Sequence, residues 1–374
     1  MSDVRLHRSV LLAVGAAPRW FGATCEHPGL LAWSELAAAA EALQVALAAT
    51  LGPEVLAHEL SLESRARLRG DACVAHTALV IRLVVAGPRS RIPVVWHTCV
   101  PEAGTDALAR QLHATLAGDA IAGEVRAAVD GVPLAEVTRC PVVLDPWLAS
   151  TLVHECIGHS SEADNYAAYM APAGIRLGHR WTELPLHVVD DPRLPGRVGG
   201  YDVDDEAVPA RATPLVRDGV WCGLLHSRAS ARQLGVDSSG HGRRVDDAPA
   251  IPRMAVTYVE PGGQSPAALL ADQADAIYCR GVIGGGSVGR EFVLRPAYGV
   301  RIRHGRPTGE VLRRFDLVGD KLATLARLAG IADDLTFFDS ALGCNKDGQN
   351  NLPVSQGAPH LALSAASLRP IARP

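Results

Sequence analysis

Two histidines and a glutamate fall within six residues, His154-Glu155-Cys156-Ile157-Gly158-His159, directly after a helix start. Asp145 suits the N-cap, Pro146 suits the first helical position, and Trp147–Val153 carries an apolar face onward. The spacing is HExxxH, one residue longer than the HExxH of zinc proteases. In an α-helix residues i and i+4 share a face, whereas i and i+5 stand roughly 140° apart. Both rings can meet one ion only if the helix widens or ends between them. A π-type bulge over Cys156–Gly158 would do this, with Gly158 the residue most easily distorted. Neutral imidazoles are good zinc ligands, and Glu155 would then face the open position of the ion as general base for water. By composition such a pattern arises on the order of 0.03 times per chain, so a metal site is preferred over two unrelated buried histidines.

The 374 residues, 48% hydrophobic, are enough for two domains and a substantial core. A net charge of −4 points to neither nucleic acid nor an anionic membrane as partner. Lysine occurs only at Lys321 and Lys346 against many arginines, which reads as the codon bias of a GC-rich genome. The eight cysteines are scattered without a CxxC pair, a pattern of buried thiols in a reducing cytoplasm. Arg5-Leu6-His7-Arg8 followed by the apolar run Ser9–Ala17 mimics a short signal peptide and equally suits a first buried strand. No stretch is long enough to span a membrane as a helix.

The expected fold class is α+β, with a mixed α/β domain over 1–140 and a mostly antiparallel or barrel-like β domain over 141–374 that carries the metal helix. In the first, a helix is expected over Leu31–Thr50, strands over Thr77–Val85 and Ile92–Val100 around a Gly87–Ser90 turn, and a helix over Thr105–Leu116. Pro141–Leu144 reads as a short strand feeding the metal helix. Extended segments follow near Leu186–Val189, Pro214–Val216, Met254–Tyr258 and Phe292–Arg303, with helices over Ser265–Ile277 and Leu317–Leu328.

Two histidines do not hold a catalytic zinc, and a third ligand is required. Cys344 stands out because it sits in a polar, glycine-punctuated loop, Ala341–Gln349, where a plain core cysteine is out of place; the other histidines and the acids stay open as alternatives. Over about residues 138–365 the chain resembles the TldD/PmbA metallopeptidases. The resemblance is carried by Cys140–Leu144 running into HECIGH, by Gly200–Glu206, by Gly240–Arg244 with Pro252-Arg253-Met254, and by Leu342–Gln349 followed by Leu352-Pro353-Val354. It implies that His154, His159 and Cys344 bind zinc and that Glu155 activates water. It also implies a peptidase that cuts extended or unfolded peptides, as a homodimer or as a heterodimer with a paralogue, in some members maturing a peptide precursor. The first 138 residues match weakly and look shorter than the N-terminal region usual in the family.

His241, Arg243 and Arg244 are candidates for substrate binding, since guanidinium groups clamp carboxylates and amide or imidazole donors serve an oxyanion. Gly285 and Gly286 are expected to pass close to a bound peptide backbone. Asp202–Glu206 reads as a loop whose carboxylates cap turns, rather than a second cation site. Gly284–Gly289 contains GxSxG, but Arg290–Pro296 reads as strand where a serine-hydrolase elbow needs a helix, which disfavours Ser287 with Asp339 and His360. A different class, a scaffolding or biosynthetic member that has kept the fold and redirected the chemistry, is the rival to a peptidase.

Overall fold

The computed structural model describes residues 3–13, 17–22, 30–69, 72–86, 91–100, 110 and 120–371. The first five strands, β1 (Asp3–Ala13), β2 (Arg19–Gly22), β3 (Val55–Arg69), β4 (Ala72–Ala86) and β5 (Arg91–Val100), form one antiparallel sheet in the order β2-β1-β3-β4-β5. Strand alternation buries Leu60, Leu62, Leu79, Ile81, Leu83 and Val85 on one face. The helix Trp33–Thr50 covers that face with Leu36, Ala40, Leu43 and Leu47, an i, i+4, i+7, i+11 stripe. The stretch that mimics a signal peptide lies, over residues 3–13, inside this sheet between β2 and β3. β4 and β5 pair with Ala86 opposite Arg91. The Gly87–Ser90 turn itself, and all of the expected Thr105–Leu116 helix except Arg110, lie outside the described residues.

The rest is built on two larger sheets. A ten-stranded one runs from the edge strand Gly284–Val288 through Glu291–Arg295, Phe315–Asp320, Leu361–Pro370 and Thr138–Leu144 to Asp275–Arg280 and beyond. A six-stranded one contains Val188–Asp190, Val256–Val259, Ser355–Ala358 and Thr336–Asp339. Both are mainly antiparallel with a few parallel pairs, Thr138–Leu144 with Asp275–Arg280 among them. Among the described residues no sheet closes into a barrel, so the α+β class holds and its barrel-like element does not. The helix Pro146–Val153 lies between these two sheets, touching strands of both, and Leu148 through Val153 are all buried.

Tertiary pairing overrides local periodicity in two places. The helix expected over Ser265–Ile277 is confined to Pro266–Ala271, because Asp275–Arg280 is taken up as a strand beside Thr138–Leu144. The helix expected over Leu317–Leu328 is confined to Lys321–Leu325. Leu317 and Val318 instead pair with Leu368 and Ser367, and Asp320 caps the helix by accepting the Ala323 N–H at 2.9 Å.

Between the first sheet and the large one, the helix Ala120–Asp130 buries Glu124. Burial, reinforced by Asp145 and opposed by Arg280, pushes its carboxyl up from 4.5 to about 8. The folded protein keeps this proton up to about pH 8, whereas the unfolded chain releases it near 4.5. Stability from this group is therefore full below about pH 4.5 and is lost as pH rises through 8. Glu124→Gln should flatten that decline, with a higher Tm than wild type at pH 8.5 and little difference at pH 5. Parallel Tm-against-pH curves would contradict it.

Candidate metal centre

The strand Thr138–Leu144 ends with Val142, Val143 and Leu144 fully buried and delivers the chain to Asp145. One Asp145 oxygen accepts the Leu148 N–H at 2.9 Å and the other accepts the Gly281 N–H at 2.8 Å. The cap thus ties the helix to the end of the neighbouring strand and sets the direction of its axis. Over His154–Gly158 the helix widens into a π turn in which the His159 N–H bonds to the His154 carbonyl. That i to i+5 closure places both imidazoles together, centroids 4.9 Å apart and planes at 88°. The site of the bulge agrees with the sequence reading, but the part played by Gly158 does not. Its φ of −56° is ordinary for a helix, so no distortion demands glycine. Size does, because a Cβ here would overlap the Met254 Sδ in the packed core. Gly158→Ala should cost roughly 1–3 kcal/mol by overpacking, read as a lower urea midpoint, with part recovered in a Gly158→Ala/Met254→Ala double variant.

The third donor arrives from 185 residues away. Cys344–Lys346 and Gln349–Leu352 form a hairpin whose two-residue turn, Asp347-Gly348, has φ of 48° and 78°. Asp-Gly is suited to such a turn because both positions need positive φ. Arg253 pins the hairpin by donating to the Cys344 carbonyl at 2.8 Å. The Cys344 Sγ then lies 3.5 Å from His159 Nε2, and the donor atoms of His154, His159 and Cys344 all fall within 4.8 Å of one another. Glu155 Oε2 stands 4.0 Å from His159 Nε2.

Burial alone would push the Cys344 thiol up, but His159 and His154 more than offset it and hold the thiol well below its ordinary range. Burial likewise opposes charge on His159, and Glu162 and Cys344 override it, so the imidazole is held well above its usual value. Glu162 is fully buried and accepts from His159 Nδ1 at 2.9 Å and from Lys346 Nζ at 3.1 Å. Although burial works against it, His159 and Lys346 bring its carboxyl down to about 2. His159 is therefore oriented by a carboxylate on one nitrogen and offers the other to the centre. His154 Nδ1 and Glu155 Oε2 are buried and have no hydrogen-bond partner among the described residues. A thiolate and two imidazoles converging beside such orphaned atoms suit a zinc-like ion by donor type.

These groups line a cavity of about 440 Å³ whose other wall is the edge strand Gly284–Val288. Gly285 and Gly286 are among the residues that line it. His241, Arg243 and Arg244 are not among the lining residues. His241 is fully buried between Asp190 Oδ1, at 3.1 Å, and Ser239 Oγ, at 3.0 Å. Arg243 donates to the Met254 and Pro353 carbonyls over the Tyr201 ring, and Arg244 packs behind it with its N–H on Asp205. His241 and Arg243 are buried and Arg244 is half-buried, so the structure places these three candidates beside the loops behind the centre and outside the lining of this cavity. Asp204, Asp205 and Glu206 accept backbone N–H groups and so cap turns. Ser287, Asp339 and His360 do not converge: Ser287 donates to the Glu155 carbonyl, Asp339 accepts from Arg197 and Ser355, and His360 pairs with Asp334. Sequence reasoning missed Glu162, Lys321 and Lys346 at this site. The signal for the lysines was present, since both lysines of the chain line this cavity.

The family model described as the PmbA/TldA metallopeptidase C-terminal domain matches residues 137–369. A Synechocystis protein named a metalloprotease is 37% identical over 236 residues, 62% of this chain and 50% of the relative. A TldD homologue from Haemophilus influenzae, also named a metalloprotease, is 31% identical over 228 residues, covering 60% and 46%. The chain thus spans about half the length of the curated relatives it matches. In fold, TldE from Thermococcus kodakarensis superposes with a TM-score of 0.67 at 13% identity, covering 98% of this chain and 96% of its own. A Thermotoga maritima structure gives 0.70 at 14% identity over 98% and 94%. At those identities the likeness concerns fold alone, and it extends over the N-terminal sheet that the family model leaves out. The chain belongs to the PmbA/TldD metallopeptidase family, carrying its C-terminal domain over residues 137–369.

Proposed function

We propose that this chain is a zinc-dependent peptidase that hydrolyses extended peptides, with His154, His159 and Cys344 as metal ligands and Glu155 as the general base. The observation that carries this reading is the convergence of three donors from a π turn and a distant hairpin around one point, with Glu155 beside them. Zinc held by such a set supplies Lewis acidity toward water and toward a carbonyl oxygen. Glu155 Oε2, buried and without a hydrogen-bond partner, takes the proton from the attacking water and returns it to the leaving amine. Glu162 and Lys346 keep His159 from rotating away. The strand Gly284–Val288 lies at the open edge of its sheet, and an edge strand offers its outer N–H and C=O groups to an extended chain, which supports a peptide rather than a compact substrate.

Finer points belong to the same proposal. Division near residue 140 is supported by the two largest apolar clusters, whose buried members come from residues 10–128 and from Leu134 onward, while a small cluster of Ala78, Cys99, Val198 and Ala341 joins the two halves. A homodimer or a complex with a TldD/PmbA paralogue is supported by the shared fold with TldE. Maturation of a dedicated peptide precursor is one form the activity can take. Six described cysteines are free, and a ligand thiolate needs a reducing compartment such as the cytoplasm. No helix among the described residues is long and apolar enough to cross a membrane.

The test is incubation with a mixture of unstructured peptides, with and without a chelator, read by mass spectrometry. Cleavage that stops on chelation and returns with zinc is expected; cleavage indifferent to the chelator would remove the reading. Glu162→Ala should weaken zinc binding about 10–100-fold by freeing His159, measured by competition with a chromogenic chelator. An unchanged affinity would relegate Glu162 to packing.

A further inference from the structure

Of 36 basic residues only Lys321 and Lys346 are lysines, and both are buried in the wall of the metal cavity. Lys346 spends its ammonium on Glu162, Asp164 at 2.6 Å and the Pro252 carbonyl at 3.0 Å. Lys321 differs. It is 2% exposed, at the start of the helix Lys321–Leu325, and its ammonium has no hydrogen bond or ion pair among the described residues.

Nearby acids do not supply the missing partner. Asp320 is held by Arg290 at 2.6 Å and by the Ala323 N–H, while Glu162 is taken by His159 and Lys346. Burial pulls the Lys321 amine below its ordinary range, and Cys156, Glu155, Glu162 and Asp320 oppose this only from beyond ion-pair distance. A buried cation without a fixed partner is costly, and the cost falls when a ligand brings the counter-charge. A lysine ammonium, a compact charge with three rotatable donors, suits a carboxylate approaching from the cavity.

We propose that Lys321 binds a carboxylate of the peptide substrate, either the free chain end or an Asp or Glu side chain, and so sets specificity for acidic or C-terminal segments. The inference rests on the peptide reading of this site. Two lysines make it directly observable, because protein grown on carbon-13 and nitrogen-15 lysine gives two side-chain NMR signals. Lys321→Met removes one and assigns it, and Lys321→Arg does the same should the methionine variant not fold.

The probes are N-acetyl-trialanine as acid and as amide, and N-acetyl-Ala-Asp-Ala-amide beside its Asn counterpart. Each is titrated into zinc-loaded Glu155→Gln protein, so that no turnover intervenes. We expect saturable shifts of the Lys321 signal and at least about tenfold tighter binding of the carboxylate peptide in one pair, falling below about twofold once Lys321 is replaced. Preference in the first pair assigns the chain end, and preference in the second assigns the side chain. No Lys321 shift with any carboxylate, or a preference that survives replacement of Lys321, overturns the proposal. Wild-type protein that shows the shift but cleaves nothing in the mixture of unstructured peptides refutes the peptidase and supports the carboxylate site.

Discussion

Glu155→Gln should retain zinc and lose about 10²–10⁴-fold in peptide turnover, the range that a positioned proton acceptor contributes. The substitution keeps the shape of the side chain, and Glu155 is not among the three converging donors, so metal content should stay at the wild-type level. Because the proton moves in the transition state, the loss should fall on kcat with KM nearly unchanged. Elemental analysis beside steady-state kinetics on one cleaved peptide checks both parts. Near-normal turnover with bound metal would remove Glu155 from the chemistry.

Cys344→Ala should lower zinc affinity by about 10²–10³-fold, since one of three protein donors and its negative charge are lost together. The cobalt-loaded wild type should show thiolate-to-metal charge-transfer absorption that the variant lacks. That band depends on a sulfur–metal bond and not on activity. Equal spectra would mean that the sulfur, 3.5 Å from His159 Nε2, is a neighbour of the ion and not a ligand.

Several features of the centre were readable before folding because they depend on short stretches of chain. The Asp145 cap, Pro146, the buried helix and the widened turn between His154 and His159 are all consequences of residues within about four turns of one another. The strand over Pro141–Leu144 and the helix from Trp33 were legible for the same reason. Unread in the sequence was the 15-residue strand Val55–Arg69, although Leu60, Leu62, Ala66 and Leu68 alternate there with Ser61, Glu63, Arg67 and Arg69 at the strand period. Lys321–Leu325 shows the opposite error: its helical pattern reaches back to Leu317, but pairing with Leu368 was worth more than the local preference.

Sequence alone supplied the two imidazoles and the carboxylate, the one-residue excess in HExxxH and hence the need for a π turn if both rings are to meet, since helix geometry is local and admits few ways to bring i and i+5 together. Only the tertiary structure decided that Met254 crowds the space a side chain at position 158 would need, that Glu162 holds His159, that His241 and Arg243 are buried away from the cavity lining, and that the two lysines face the same cavity. Each of those depends on contacts between residues far apart in the chain, where packing and burial, not spacing, fix what a side chain can reach.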